Sequence, residues 1–172
     1  MPRSFNIGGP CKADINFMLP PERRLPGIRD LIADQSYFVL HAPRQVGKST
    51  AMLTLGDTLT REGTYASVML SVEMGVPYED LKRAVPAILG SWRRRAENRL
   101  PVELQPPPGP ACEPEVAIGE ALATWAQHCP RPLVLFLDEV DSLAPDVLGP
   151  LLRQLRDLYN DRPTGFPWSI AL

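Results

Sequence analysis

Apolar positions along this chain fall into two kinds of run. Short, nearly unbroken ones occur at 37–40 (Y-F-V-L), 65–71 (Y-A-S-V-M-L-S), 133–137 (L-V-L-F-L) and 168–172 (W-S-I-A-L). Their length and β-branched or aromatic content predict buried strands. Between them the apolar residues recur every three or four positions. Residues 48–61 carry Met52, Leu55 and Leu59 on one helical face; residues 115–129 carry Ile118, Leu122, Trp125 and Cys129. Residues 146–160 present a broader stripe from Val147 to Leu158, and 28–34 read as a short helix. Residues 78–99 read as a helix interrupted at Pro86. Strands alternating with amphipathic helices predict an α/β fold with a mainly parallel sheet, a three-layer αβα sandwich.

The polar residues that follow two of the strands carry the candidate chemistry. After 37–40 comes H-A-P-R-Q-V-G-K-S-T, a loop of the G-x-x-x-x-G-K-[ST] kind with Ala42 in place of the first glycine. The main-chain N–H groups of such a loop turn inward as an anion nest. The helix behind it aims its positive end at the same point. Gly47 lets the backbone approach a phosphate, Lys48 reaches the outer phosphates of a nucleotide, and the Ser49 hydroxyl suits magnesium. The G-K-S tripeptide alone is a weak signal. It gains force from the strand ending in Asp138-Glu139, since paired carboxylates at a strand end can hold a magnesium ion and align water.

Composition narrows the setting. With 172 residues the chain has the size of one domain able to bury a core. The 20 prolines gather at the N-terminus and in 101–114, marking loops rather than a fibrous class. Residues 1–27 read as an irregular arm and 28–172 as the core, with the 101–114 loop inside it. A net charge of −2 does not favour nucleic acid or an acidic membrane surface. Arg93, Arg94 and Arg95 are consecutive, so a helix fans them over about 200° instead of massing them on one face. Cys11, Cys112 and Cys129 have no paired spacing, and no N-terminal run resembles a signal peptide; reduced thiols in the cytoplasm are expected. No run approaches membrane-spanning length. Glu73, just past the second strand, reads as a capping or solvated carboxylate.

The loop A-P-R-Q-V-G-K-S-T and the D-E-V-D at 138–141 together resemble the AAA-like branch of the P-loop NTPases, in the additional-strand, catalytic-glutamate division. The resemblance covers about residues 28–172 and implies an ATP site with Mg2+. In it Ala42, Pro43, Arg44, Gln45, Val46, Gly47, Lys48, Ser49 and Thr50 surround the triphosphate. Ser49 and Asp138 serve the magnesium ion, and Glu139, with Lys48, is catalytic. It also implies the strand order 5-1-4-3-2, with 168–172 as the fourth strand between the loop strand and the acidic strand. The sensor residue, the fifth strand, an arginine finger and the helical lid would then lie beyond Leu172. On this reading the sheet is incomplete at the C-terminus, and the loop strand is an edge open to self-association. The lack of an N-K-x-D signature supports ATP over GTP. Three readings follow: an ATP-hydrolysing remodelling or regulatory module, a nucleotide-gated switch with little hydrolysis, and a DNA-associated ATPase loader. A small-molecule kinase is a weaker fourth.

Overall fold

The computed structural model describes Ser4, residues 15–17, Arg23, residues 25–41, Pro43 and residues 46–172. Within them four strands form one all-parallel sheet: β1 (Tyr37–Phe38), β2 (Ala66–Ser71), β3 (Leu133–Asp138) and β4 (Ser169–Ala171), in the spatial order β1-β4-β3-β2. The helices are α1 (Ile28–Ala33), α2 (Lys48–Glu62), α3 (Leu81–Arg99), α4 (Pro114–His128) and α5 (Pro145–Asp157). None is long and apolar enough to cross a membrane.

The unbroken apolar runs have a direct cause in this architecture. Every residue of β3 is buried, because helices cover both faces of the sheet. Alternate side chains divide between two cores. Val134 and Phe136 point with Met69 and Ala171 toward Ile28 and Ile32 of α1 and Met52, Leu55 and Leu59 of α2. Leu133, Leu135 and Leu137 point with Val68, Leu70 and Ile170 toward α3, α4 and α5. The predicted α/β three-layer arrangement is therefore the observed one.

Residues 168–172 do lie between the loop strand and the acidic strand. Ile170 registers with Tyr37 on one side and Leu135 on the other. The ladder beside β1 runs on to Leu40, whose N–H donates to Leu172 O at 2.7 Å. On the far side, β2 pairs with β3 in full register from Ala66–Leu133 to Ser71–Asp138.

The break expected at Pro86 does not occur; α3 runs unbroken through it. Pro86 leaves only the Lys82 carbonyl without its helical donor, and both residues lie on the solvent face, where water serves instead. Pro150 is accommodated inside α5 as well. Asp80 caps α3 by accepting a hydrogen bond from Arg83 N at 3.0 Å. The proline-rich 101–114 stretch is anchored rather than loose. Leu104 is fully buried, and Trp125 Nε1 donates to its carbonyl at 2.9 Å.

Candidate functional site

The two strand ends that the sequence singled out meet at one edge of the sheet, on the α2 face. Asp138 closes β3, and alternation places it on the same side as Val134 and Phe136, toward α2. Gly47 is the N-cap of α2 at φ 83°, ψ 29°, in the left-handed region that glycine adopts without strain. From there Lys48 and Ser49 occupy the first turn. Ser49 Oγ donates to Asp138 Oδ2 at 2.7 Å, and Lys48 Nζ stands 3.2 Å from Asp138 Oδ1.

Asp138 is almost fully buried, whereas the Lys48 side chain keeps about a third of its surface, 30 %, in solvent. Oδ1 accepts no hydrogen bond even so: the ammonium pairs with it by charge, off the direction a hydrogen bond needs. One lone-pair direction of a buried carboxylate is thus left over beside a hydroxyl and a helix N-terminus. The oxygens of Ser49 and Asp138 are hard donors of the kind magnesium takes. The unspent Oδ1 can accept from a water in such an ion's shell, so the residues fit that ion.

Glu139 follows directly and turns away from the strand. It sits at φ 63°, ψ 24°, and its carbonyl accepts from Ser142 Oγ at 2.5 Å and from Ser142 N at 3.1 Å. The turn exposes the Glu139 side chain while Asp138 stays buried, so the neighbouring carboxylates hold different environments. Among the described residues Glu139 makes no ion pair.

The remaining members of the predicted set are placed as follows. Thr50 is buried in the first turn of α2, and Pro43 and Val46 are exposed. Ala42, Arg44 and Gln45 lie outside the described residues. Ser71 escaped the sequence reading of the site. It pairs in register with Asp138 at the same sheet end, and its Oγ accepts from Glu73 N at 3.1 Å. The available signal was its position as the polar residue closing a buried parallel strand, where ligands gather. Glu73 itself is exposed.

The AAA domain, as a protein family, matches this chain over residues 32–171. No curated protein matches, and no solved structure does.

Proposed function

Because the chain belongs to the AAA domain family, a family of nucleotide-binding ATPase domains, we propose that it binds ATP with magnesium at the sheet end and hydrolyses it there. One observation carries this reading: the Ser49 hydroxyl and the Lys48 ammonium both converge on the buried Asp138 carboxylate.

Each group has a task its chemistry suits. The first turn of α2 offers unpaired N–H groups and a positive dipole end to the phosphates. Lys48 exchanges its Asp138 partner for the β- and γ-phosphate oxygens, where its charge offsets the negative charge that spreads during transfer. Ser49 and Asp138 would hold a magnesium ion, whose charge would offset that of the phosphates when bound. Glu139 reaches past the strand end and accepts a proton from the water that attacks the γ-phosphorus. As that oxygen bonds to phosphorus, the bond to the β–γ bridging oxygen breaks, leaving ADP and inorganic phosphate. Glu139 directly after Asp138, and β4 standing between β1 and β3, support membership of the additional-strand, catalytic-glutamate division.

Phosphate release from wild type and Glu139→Gln tests the hydrolysis. The expected loss is about 10²- to 10⁴-fold. Equal background rates in both proteins would remove hydrolysis from the assignment. Calorimetry with magnesium-ATP, in which Lys48→Ala abolishes binding, tests the site itself.

The second reading, a nucleotide-gated switch with little turnover, is favoured by the lack, among the described residues, of an ion-pair partner that would hold the Glu139 carboxylate in place. Tight binding without turnover selects it. A DNA-loading role has less behind it, since Arg93 pairs with Glu97 at 3.1 Å and Arg99 with Asp57 at 3.3 Å. Salt-independent failure to bind DNA would exclude it.

A further inference from the structure

Away from the sheet end, a cavity of about 230 Å3 opens between α3 and α4 beneath Pro106, Pro107 and Pro108. Trp92 of α3 and Trp125 of α4 supply walls, with Leu89 and Leu122 beside them, and the lining is overwhelmingly apolar. The polar groups that reach it are already engaged. Trp92 Nε1 donates to Ser71 O and Trp125 Nε1 to Leu104 O, each at 2.9 Å. Arg93 Nε donates to Glu97 Oε1 at 3.1 Å. Arg93, the one charged side chain of the lining, is already paired with Glu97, so a charged or strongly polar molecule would lose hydration with little compensation.

Size points the same way. An apolar cavity of about 150 Å3 is enough to hold benzene. The larger space here suits a substituted or fused ring of roughly eight to ten heavy atoms. Two glycines are part of its lining, with open space beside each. A Cβ on Gly109 would meet nothing within 4 Å, and one on Gly90 would meet only Arg94 Nη1, at 3.8 Å. The roof is tied at one end, where Gln105 Nε2 donates to Leu100 O at 2.9 Å and to Glu97 O at 3.2 Å. Its prolines carry little conformational freedom to lose when a molecule settles beneath them. Atoms lining an unfilled void forgo dispersion contacts that a fitting apolar guest restores.

We propose that this chain binds a small uncharged apolar ring molecule in the cavity between Trp92 and Trp125, under the Pro106–Pro108 strap. Ethylbenzene is a suitable probe, followed by tryptophan emission excited at the red edge, where the probe does not absorb. The expected result is a saturable change with a dissociation constant on the order of 0.1 mM. Ala121→Phe fills the space from α4 and should weaken binding at least tenfold. Gly90→Leu fills it from α3 and serves if the first variant loses its cooperative melt. Phenylacetate, the charged counterpart of the probe, should bind at least tenfold more weakly. No saturable change up to the probe's solubility overturns the proposal. So does wild-type affinity in a filled variant that melts cooperatively, or phenylacetate binding as tightly as ethylbenzene.

Discussion

Ser49 Oγ and Asp138 Oδ2 lie 2.7 Å apart although 89 positions separate them in the chain. The contact joins the first turn of α2 to the end of β3, and it leaves Asp138 Oδ1 without a hydrogen bond. On the proposed role, Asp138→Asn removes the charge that holds water in the cation's shell while preserving side-chain size. Magnesium affinity in the ATP complex should fall about 10- to 100-fold. ATP affinity measured without magnesium should change little. Titration calorimetry with and without the metal checks both halves, and equal losses in the two conditions would argue against a metal role.

Thr60 fastens the outer edge of the sheet. Its hydroxyl donates to Ser67 O at 2.9 Å and accepts from Ser67 N at 2.8 Å. These are main-chain groups of β2, the strand at the end of the order. Thr60→Val keeps the shape and removes both bonds, leaving two part-buried main-chain groups unpaired. Chemical denaturation should register a loss of about 1–3 kcal/mol. A loss near zero would mean that water replaces the hydroxyl.

Gly75 has no room for a side chain. A Cβ there would stand 2.6 Å from Ile88 Cδ1 and 2.8 Å from Ile88 Cγ1. Ile88 belongs to α3, is fully buried in the core it shares with β2, and cannot swing into solvent. Gly75→Ala should therefore destabilise by about 1–3 kcal/mol through overpacking. Ile88→Val in the same background should recover part of the loss, which a thermal melt of the double variant would show.

Arg29 and Glu62 tie α1 to the end of α2 through two hydrogen bonds, at 2.8 and 2.9 Å. Those bonds, ahead of the Arg29 charge itself, hold the Glu62 carboxyl below its ordinary value of 4.5. A depressed carboxylate contributes stability in full above the unfolded value and loses it as pH falls through the folded value. The pair is exposed, so the contribution is small and weakens with salt. Wild type should melt slightly above Glu62→Gln at neutral pH in low salt. The two melting curves should converge as pH drops below 4.5.

Much of this could be read along the chain. The run 133–137 announced a strand covered on both faces, and 48–61 a helix with one apolar side. Period and polarity report which residues turn inward, and that information is local. The same rule misjudged Pro86, because the cost of a missing N–H depends on whether the freed carbonyl faces water, and pattern alone does not settle that. The order of the strands was not in the hydrophobic pattern either. Any strand buried on both faces reads alike, so the place of β4 between β1 and β3 follows from the family resemblance and from the tertiary structure.

By itself, then, the sequence determined the α/β class, the inward faces of the elements and the residue types at two strand ends. Tertiary structure alone decided that Ser49 meets Asp138, that Thr60 closes the edge at Ser67, and that two tryptophans spend their N–H groups on distant carbonyls around a cavity. The reason is physical. Burial is a property each residue carries along the chain, whereas a hydrogen bond between remote groups exists only once packing has set the elements within a few ångströms of one another.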